Sequence, residues 1–304
     1  MDWTKEAVEA RKNYIGGSDA AAILGISRYK TPLQVWAIKT GQVVPPNIDD
    51  VVAVKLGNKL EQAVAEFFME DTGKKLARVN KTIFHPKYPF LGANIDREVI
   101  NEDAGFEAKT TNQFKASEWE KEEIPVEYLL QCIHYMAVTG KKAWYIAVLI
   151  GNMQFKWKKI DRDEKVINDL VKKEVAFWNN FIVPKVMPMT ITSEDSGILY
   201  ALFPKAAEES IIELGDDASK ICESLDSMKA DFKVLEKEID QQENTLKAML
   251  KTFEVGMTPK YKISWKNQKE RKIDVALLKK EEPGLYEKYA PEKEKRVLRL
   301  SVRR

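Results

Sequence analysis

The stretch Phe90–Thr111, FLGANIDREVINEDAGFEAKTT, decides how this chain is read. Ile95, Val99, Ile100 and Phe106 are β-prone apolar residues, and Asn101-Glu102-Asp103-Ala104-Gly105 carries turn chemistry. The stretch therefore reads as two strands joined by a polar turn, with Asp96 on the first and Glu107 and Lys109 on the second. Side chains two apart on a strand share a face, so Glu107 and Lys109 project together. A carboxylate beside an ammonium, with a second carboxylate on the neighbouring strand, suits a divalent cation and a water nucleophile.

The acid-x-Lys triplet alone is cheap in a chain with 32% charged residues: Asp163/Lys165, Asp231/Lys233 and Glu270/Lys272 match it too. What separates Glu107-x-Lys109 from them is its surroundings. Upstream, Val51–Thr72 has helical spacing, with Leu56, Leu60, Val64, Phe67 and Phe68 on one face and Glu61 beside that stripe. Residues 74–84 read as a strand leading into the hairpin. Downstream, Val126–Val138 reads as a helix carrying Gln131 and Tyr135 four apart on one face, with His134 between them. Ala143–Leu149 is an apolar strand, Met153–Ile160 alternates as its hairpin partner, and Glu164–Phe181 is a helix ending near Pro184.

The N-terminal part adds a second feature. A short helix over 3–13 leads to Gly16-Gly17-Ser18-Asp19, where Ser18 or Asp19 can cap a helix beginning at Ala20. Such a turn is an ordinary capped start. It also leaves free N–H groups for an anion, which Arg11 and the Ser18 hydroxyl can help to hold. The basic, aromatic loop Gly25–Lys30 follows, then a helix capped by Thr31 and beginning at Pro32. Residues 42–50 form a Pro-containing loop.

Length and composition exclude several classes. The 304 residues are 44% hydrophobic, which allows one large domain or two smaller ones with a real core. No run approaches the roughly 18–20 apolar residues that span a bilayer, and no secretory signal opens the sequence. Cys132 and Cys222 are too few for a disulfide framework or a cysteine metal cluster. The simplest reading is a reduced, cytoplasmic protein with no membrane attachment. The net charge of +2 hides an asymmetry. Glu208–Glu254 holds 13 acidic and 6 basic residues, whereas Lys260–Arg304 holds 15 basic and 7 acidic. Within the acidic part Ile221, Leu225, Met228, Phe232, Leu235, Ile239, Leu246, Met249 and Phe253 follow an alternating four–three spacing broken only by Gln242. That is a heptad stripe, expected to form a helical arm over 221–253 that packs on itself or a partner. The basic tail, 260–304, has strand-like text at Tyr261–Lys266 and Arg296–Val302. Its charge and interleaved aromatics suit nucleic acid or a solvated surface.

Taken in order, a helix with Glu61, a strand with Asp96, a strand with Glu107-x-Lys109 and a helix with Gln131-x-x-x-Tyr135 resemble the PD-(D/E)xK nuclease superfamily. RKNYIGGSDAAAILGISRYKTPLQVWAIKTG, LGNKLEQAVAEFF, ANIDREV, FEAKT and QCIHYMAVTGKKAWYIAV are similar, in sequence, to YqaJ-type viral recombinases, relatives of phage lambda exonuclease. The likeness covers residues 10–182. It implies an α/β core with a mixed central sheet flanked by helices over 1–190, and a C-terminal extension over 191–304.

The resemblance also implies roles. Asp96 and Glu107 would bind metal, with Glu61 a third acid; Lys109 would orient or activate water and stabilise charge at phosphorus; Gln131 would hold Lys109 or the scissile strand. Arg11 and Ser18 match positions that grip a 5′-phosphate, and Asn94, Arg28 and Tyr135 are further DNA-facing residues, with Lys55 and Lys59 as additional candidates. Asn94-Ile95-Asp96 departs from the family's Pro-Asp. The implied cofactor is Mg2+ or Mn2+, two per site and roughly 4 Å apart. The implied activity is 5′→3′ exonuclease action on double-stranded DNA ends in a bacterial cell carrying phage or prophage. Its product would be a 3′ single strand for a strand-annealing protein, and the enzyme would be a ring-shaped trimer. A structure-specific endonuclease of the same fold and a non-catalytic DNA-binding recombination factor remain open at this stage.

Overall fold

A computed structural model describes residues 10–45, 50–120, 123–151, 153–292 and 294–302. It divides into two units, 1–203 and 204–304. Most of the expected 3–13 helix lies outside the described residues, as do residues 46–49 of the 42–50 loop.

The first unit is built on β7 (Ala143–Ile150), whose near-continuous apolar run is what a strand buried on both faces requires. It pairs in parallel with β6 (Ala104–Thr111) and antiparallel with β8 (Gln154–Asp161). On the far side of β6 lie β5 (Arg97–Val99) and then β2 (Leu76–Arg78), giving a mixed five-stranded sheet in the order β2-β5-β6-β7-β8. A smaller sheet, β1-β4-β3, joins Ile15–Gly16, Leu91–Ala93 and Ile83–Phe84.

Helices cover both faces. Helix α3 (Val52–Thr72) inserts Val64, Ala65 and Phe68 against Phe106, Tyr145 and Ala147. The other face, with Trp144, Ile146, Val148 and Ile150, packs on α1 (Gly17–Ile23), α4 (Val126–Thr139) and α5 (Glu164–Phe177). Gly105 sits opposite Trp144 in the parallel register, and a Cβ there would stand 2.3 Å from the indole ring. Only glycine lets that ring lie flat on β6. Helix α2 (Pro32–Lys39) starts as expected: Thr31 Oγ1 accepts from Gln34 N at 3.1 Å.

Several expectations are corrected. The strand read over 74–84 is two strands in different sheets. The strand read across Asp96 is broken into β4 (Leu91–Ala93) and β5, and Asp96 occupies the gap. The apolar stripe of α3 is narrower than its spacing implied, since Leu56 and Phe67 remain exposed. Helix α1 begins at Gly17, with Asp19 in its first turn accepting from Gly16 N, so neither Ser18 nor Asp19 is the cap residue. The first unit runs to Phe203, beyond the expected edge at 190, with α6 (Ser196–Leu202) included. Buried Asp195 ties this end down, accepting from Thr31 Oγ1 at 2.5 Å and from Thr192 N at 2.7 Å. In the second unit, α7 (Asp216–Leu250) carries the heptad stripe as far as Met249, and Phe253 falls after the helix. A hairpin, β9 (Val255–Met257) with β10 (Lys262–Ser264), and helices α8 (Val275–Glu281) and α9 (Pro283–Tyr289) follow. Arg296–Val302 forms no strand.

His134 is a structural residue. It is fully buried, with Nδ1 2.8 Å from Glu174 and Nε2 3.0 Å from the Gly92 carbonyl, so it fastens α4 to α5 and β4. A carbonyl only accepts, so Nε2 carries a proton, and a second proton is shared between Nδ1 and Glu174. Burial alone would lower the histidine, but the Glu174 charge and hydrogen bond and the Gly92 carbonyl outweigh it and raise it above its ordinary 6.5. A raised folded value means the bond stabilises fully below about pH 6.5 and loses its contribution as pH rises through the folded value. His134→Ala, which strands a buried Glu174, is expected to cost about 3–5 kcal/mol in urea unfolding at pH 6. A His134→Leu/Glu174→Leu pair should recover most of that loss and flatten the fall in stability toward alkaline pH.

Candidate active site

The strand register assembles the site. Arg97 pairs with Phe106, so one step further along the antiparallel ladder brings Asp96 beside Glu107. The ladder stops there, and the Asp96 side chain takes over from the strand: its Oδ2 accepts from Ala108 N at 3.0 Å. On β6, Phe106 and Ala108 turn to α3, while Glu107 and Lys109 turn together toward α4. Glu107 Oε1 accepts from Lys109 Nζ at 2.5 Å and from Gln131 Nε2 at 2.8 Å. Gln131 also donates to the Tyr135 hydroxyl at 2.8 Å, the expected i,i+4 pair. Lys109 lies 5.1 Å from the centre of the Tyr128 ring.

These groups face an open cleft of about 440 Å3, bounded by α1, the 27–30 loop, α3, β6 and α4. Asp96, Glu107, Lys109, Glu61, Gln131 and Ser18 all line it. Glu61 reaches it from α3 with Oε1 held by Arg97 at 2.8 Å, and the same guanidinium grips Gln62 at 2.9 Å. Arg97, only 3% exposed, was missed in the sequence reading because nothing in a lone arginine next to Asp96 signals that it brackets a distant helix. Lys30, also in the lining and paired with Asp19 at 3.1 Å, was missed for the same reason.

The remaining DNA-facing candidates are placed differently. Arg11 lies outside the cleft lining. Arg28 is clamped by Glu118 and Glu127, and those bonds raise its pKa further. Asn94 spends both ends of its amide inside the protein, donating to the Tyr14 hydroxyl at 2.6 Å and accepting from Thr82 Oγ1 at 2.8 Å. Tyr135 is buried rather than presented. Lys55 pairs with Asp50 at 2.7 Å.

The charge balance fits a divalent cation. Burial, and then the Glu107 charge beside it, push Asp96 well above the usual carboxylate range against the pull of Lys109 and the Ala108 N–H. Burial works to lower Lys109, but Glu107 and Asp96 outweigh it and raise the ammonium, which therefore stays charged. Glu107 Oε2 is buried with no hydrogen-bond partner. An orphaned carboxylate oxygen beside a second, destabilised carboxylate is a donor set for a hard cation. Among the described residues no three His, Cys, Asp or Glu side chains stand close enough to hold a metal unaided. Mg2+ needs fewer, because it keeps several waters and takes one or two carboxylates together with substrate phosphate.

The model of the YqaJ-like viral recombinase domain matches residues 6–142. The protein YqaJ of Bacillus subtilis is 36% identical over 289 residues, covering 94% of this chain and 90% of that protein. The chain belongs to the YqaJ family. Its core also has the fold of an alkaline exonuclease, LHK-Exo from Laribacter hongkongensis. That structure matches with a TM-score of 0.52 at 20% identity, covering 60% of this chain and 94% of LHK-Exo. A second LHK-Exo structure, in complex with dAMP, matches equally. The shared fold is the mixed central sheet flanked by helices.

Gly17 sets the distance between α1 and the site. A Cβ there would stand 2.6 Å from the Tyr135 ring and 3.1 Å from Gln131 Cγ. Gly17→Ala is expected to lower stability by about 1–3 kcal/mol through overpacking. It should also shift Gln131 off Glu107, which a crystal structure of the variant would show as a lengthened 2.8 Å bond.

Proposed function

We propose that this protein is a metal-dependent exonuclease that degrades one strand of linear duplex DNA from its 5′ end, exposing a 3′ strand for recombination by annealing. The observation that carries the reading is the convergence of Asp96, Glu107, Lys109 and Gln131 on one cleft with Glu107 Oε2 left free for a cation. Family membership supports a role in viral recombination. The shared fold with LHK-Exo supports hydrolysis of a phosphodiester.

Each residue has a task. Asp96 and Glu107 would hold Mg2+ or Mn2+. Such an ion, when bound, supplies an activated water and neutralises charge on the phosphoryl oxygens. Gln131 fixes Glu107 Oε1, and the second oxygen is left without a protein partner. Lys109, held beside Glu107, places a positive charge where negative charge grows at phosphorus and orients the attacking water. Glu61 would supply a third oxygen for a second ion, once released from Arg97. Ser18 and Lys30, both in the cleft lining, would donate to a 5′-phosphate, and Arg11 would contribute from outside the lining. A ring of three copies would account for processive action, and a strand-annealing protein would take up the product.

The test is digestion of linear duplex, with and without a 5′-phosphate, in Mg2+. Loss of the phosphorylated strand from its 5′ end is expected, with a covalently closed circle left intact. Lys109→Ala should slow the reaction about 100-fold or more, the scale for losing a group that stabilises transition-state charge. Cutting of the circle would move the assignment to an endonuclease. An intact linear duplex with a folded protein would leave a DNA-binding factor.

A further inference from the structure

Helix α7 has 35 residues, and Leu250, at its end against the following hairpin, is the one it buries. At 1.5 Å per residue it is about 50 Å long. Its large apolar side chains are not scattered. Ile221, Met228, Phe232, Leu235, Ile239, Leu246 and Met249 are 40–71% exposed, and with Leu225 they form one seam of about four heptads. A seam of that length left in water is an exposed apolar patch that marks a binding face.

The flanks of the seam say what covers it. Leu225, Phe232, Ile239 and Leu246 occupy one core position of the heptad; Ile221, Met228, Leu235, Gln242 and Met249 occupy the other. The flanking positions then hold Lys229, Glu236 and Glu243 on one side and Asp231 and Glu238 on the other, four acids to one base. A second copy aligned in parallel would set Asp231 against Glu236 and Glu238 against Glu243, each twice by symmetry, with no opposite-charge pair in return. An antiparallel copy would set Glu236 and Glu238 each against itself, offset by Lys229 with Glu243, with Gln242 buried against Phe232; one heptad along it would set Asp231 against Glu238, offset by Lys229 with Glu236, with Gln242 buried against Leu225. Neither orientation of a second copy pairs all four acids with a base. A helix with basic flanks turns all four acids into attractive pairs. Each such exposed pair is worth little, so the seam supplies affinity and the flanks select the partner.

We infer that the 221–249 seam docks an amphipathic helix of another protein, apolar along its own seam and lined by Lys and Arg. A polar residue in the layer facing Gln242 would set the register. This inference stands apart from the nuclease reading.

The full chain is titrated with two labelled synthetic peptides of about four heptads, identical in their Leu/Ile seam and single polar layer. One carries Lys at every flanking position and the other Glu. Binding of the Lys peptide at least tenfold tighter is expected, with the gap narrowing at high salt. Leu235→Asp/Ile239→Asp, at exposed positions that leave the helix intact by circular dichroism, should abolish it. Equal or tighter binding of the Glu peptide, or no binding of either, overturns the inference. So does light scattering that shows self-association lost in the double variant, since a second copy would then be the occupant.

Discussion

The site depends on how one carboxylate is held. Glu107 Oε1 is fixed from two sides, by Lys109 on its own strand and by Gln131 across from it, and Oε2 is left buried without a partner. A buried polar atom without a bond costs free energy, and folded chains pair nearly all of them. Here the cost is tolerated at the point where a second carboxylate, Asp96, is itself destabilised by burial and by its neighbour. A cation bridging the two would relieve both conditions.

The rest of the first unit serves that geometry. The parallel pairing of β6 with β7 orients Glu107 and Lys109 toward α4, and Gly105 lets Trp144 lie close enough to keep the strands in register. The break between β4 and β5 frees Asp96 from the ladder so that its carboxylate, rather than a backbone carbonyl, meets Ala108 N. His134 and Glu174 pin α4 from behind, so Gln131 is presented from a helix that is fastened to both α5 and β4. Arg97 extends the network to α3 by holding Glu61 and Gln62.

Much of this was legible in the sequence, and the physics says which part. Glu107 and Lys109 were readable as a pair because strand periodicity is strict, and Gln131 with Tyr135 because helix periodicity is. The run AWYIAVL announces an apolar strand by composition alone, and the structure buries it on both faces. Three kinds of fact were not readable. Strand breaks were not, because Ile95, Val99 and Ile100 give no sign that the smaller sheet claims Leu91–Ala93. Long-range pairing of charges was not: Arg28 looks like a free phosphate ligand in the loop text, yet Glu118 and Glu127 hold it across some ninety residues of chain. Internal use of a polar side chain was not either, as Asn94 shows by satisfying Tyr14 and Thr82.

The central claim is that Asp96 and Glu107 form one divalent cation site, and a calorimetric titration of the purified chain with Mn2+ in the absence of DNA addresses it most directly. The account predicts saturable binding that Asp96→Asn and Glu107→Gln each remove while the variants remain folded. Mn2+ binding unchanged in both variants, or none in the unsubstituted chain with or without a DNA end present, would contradict it.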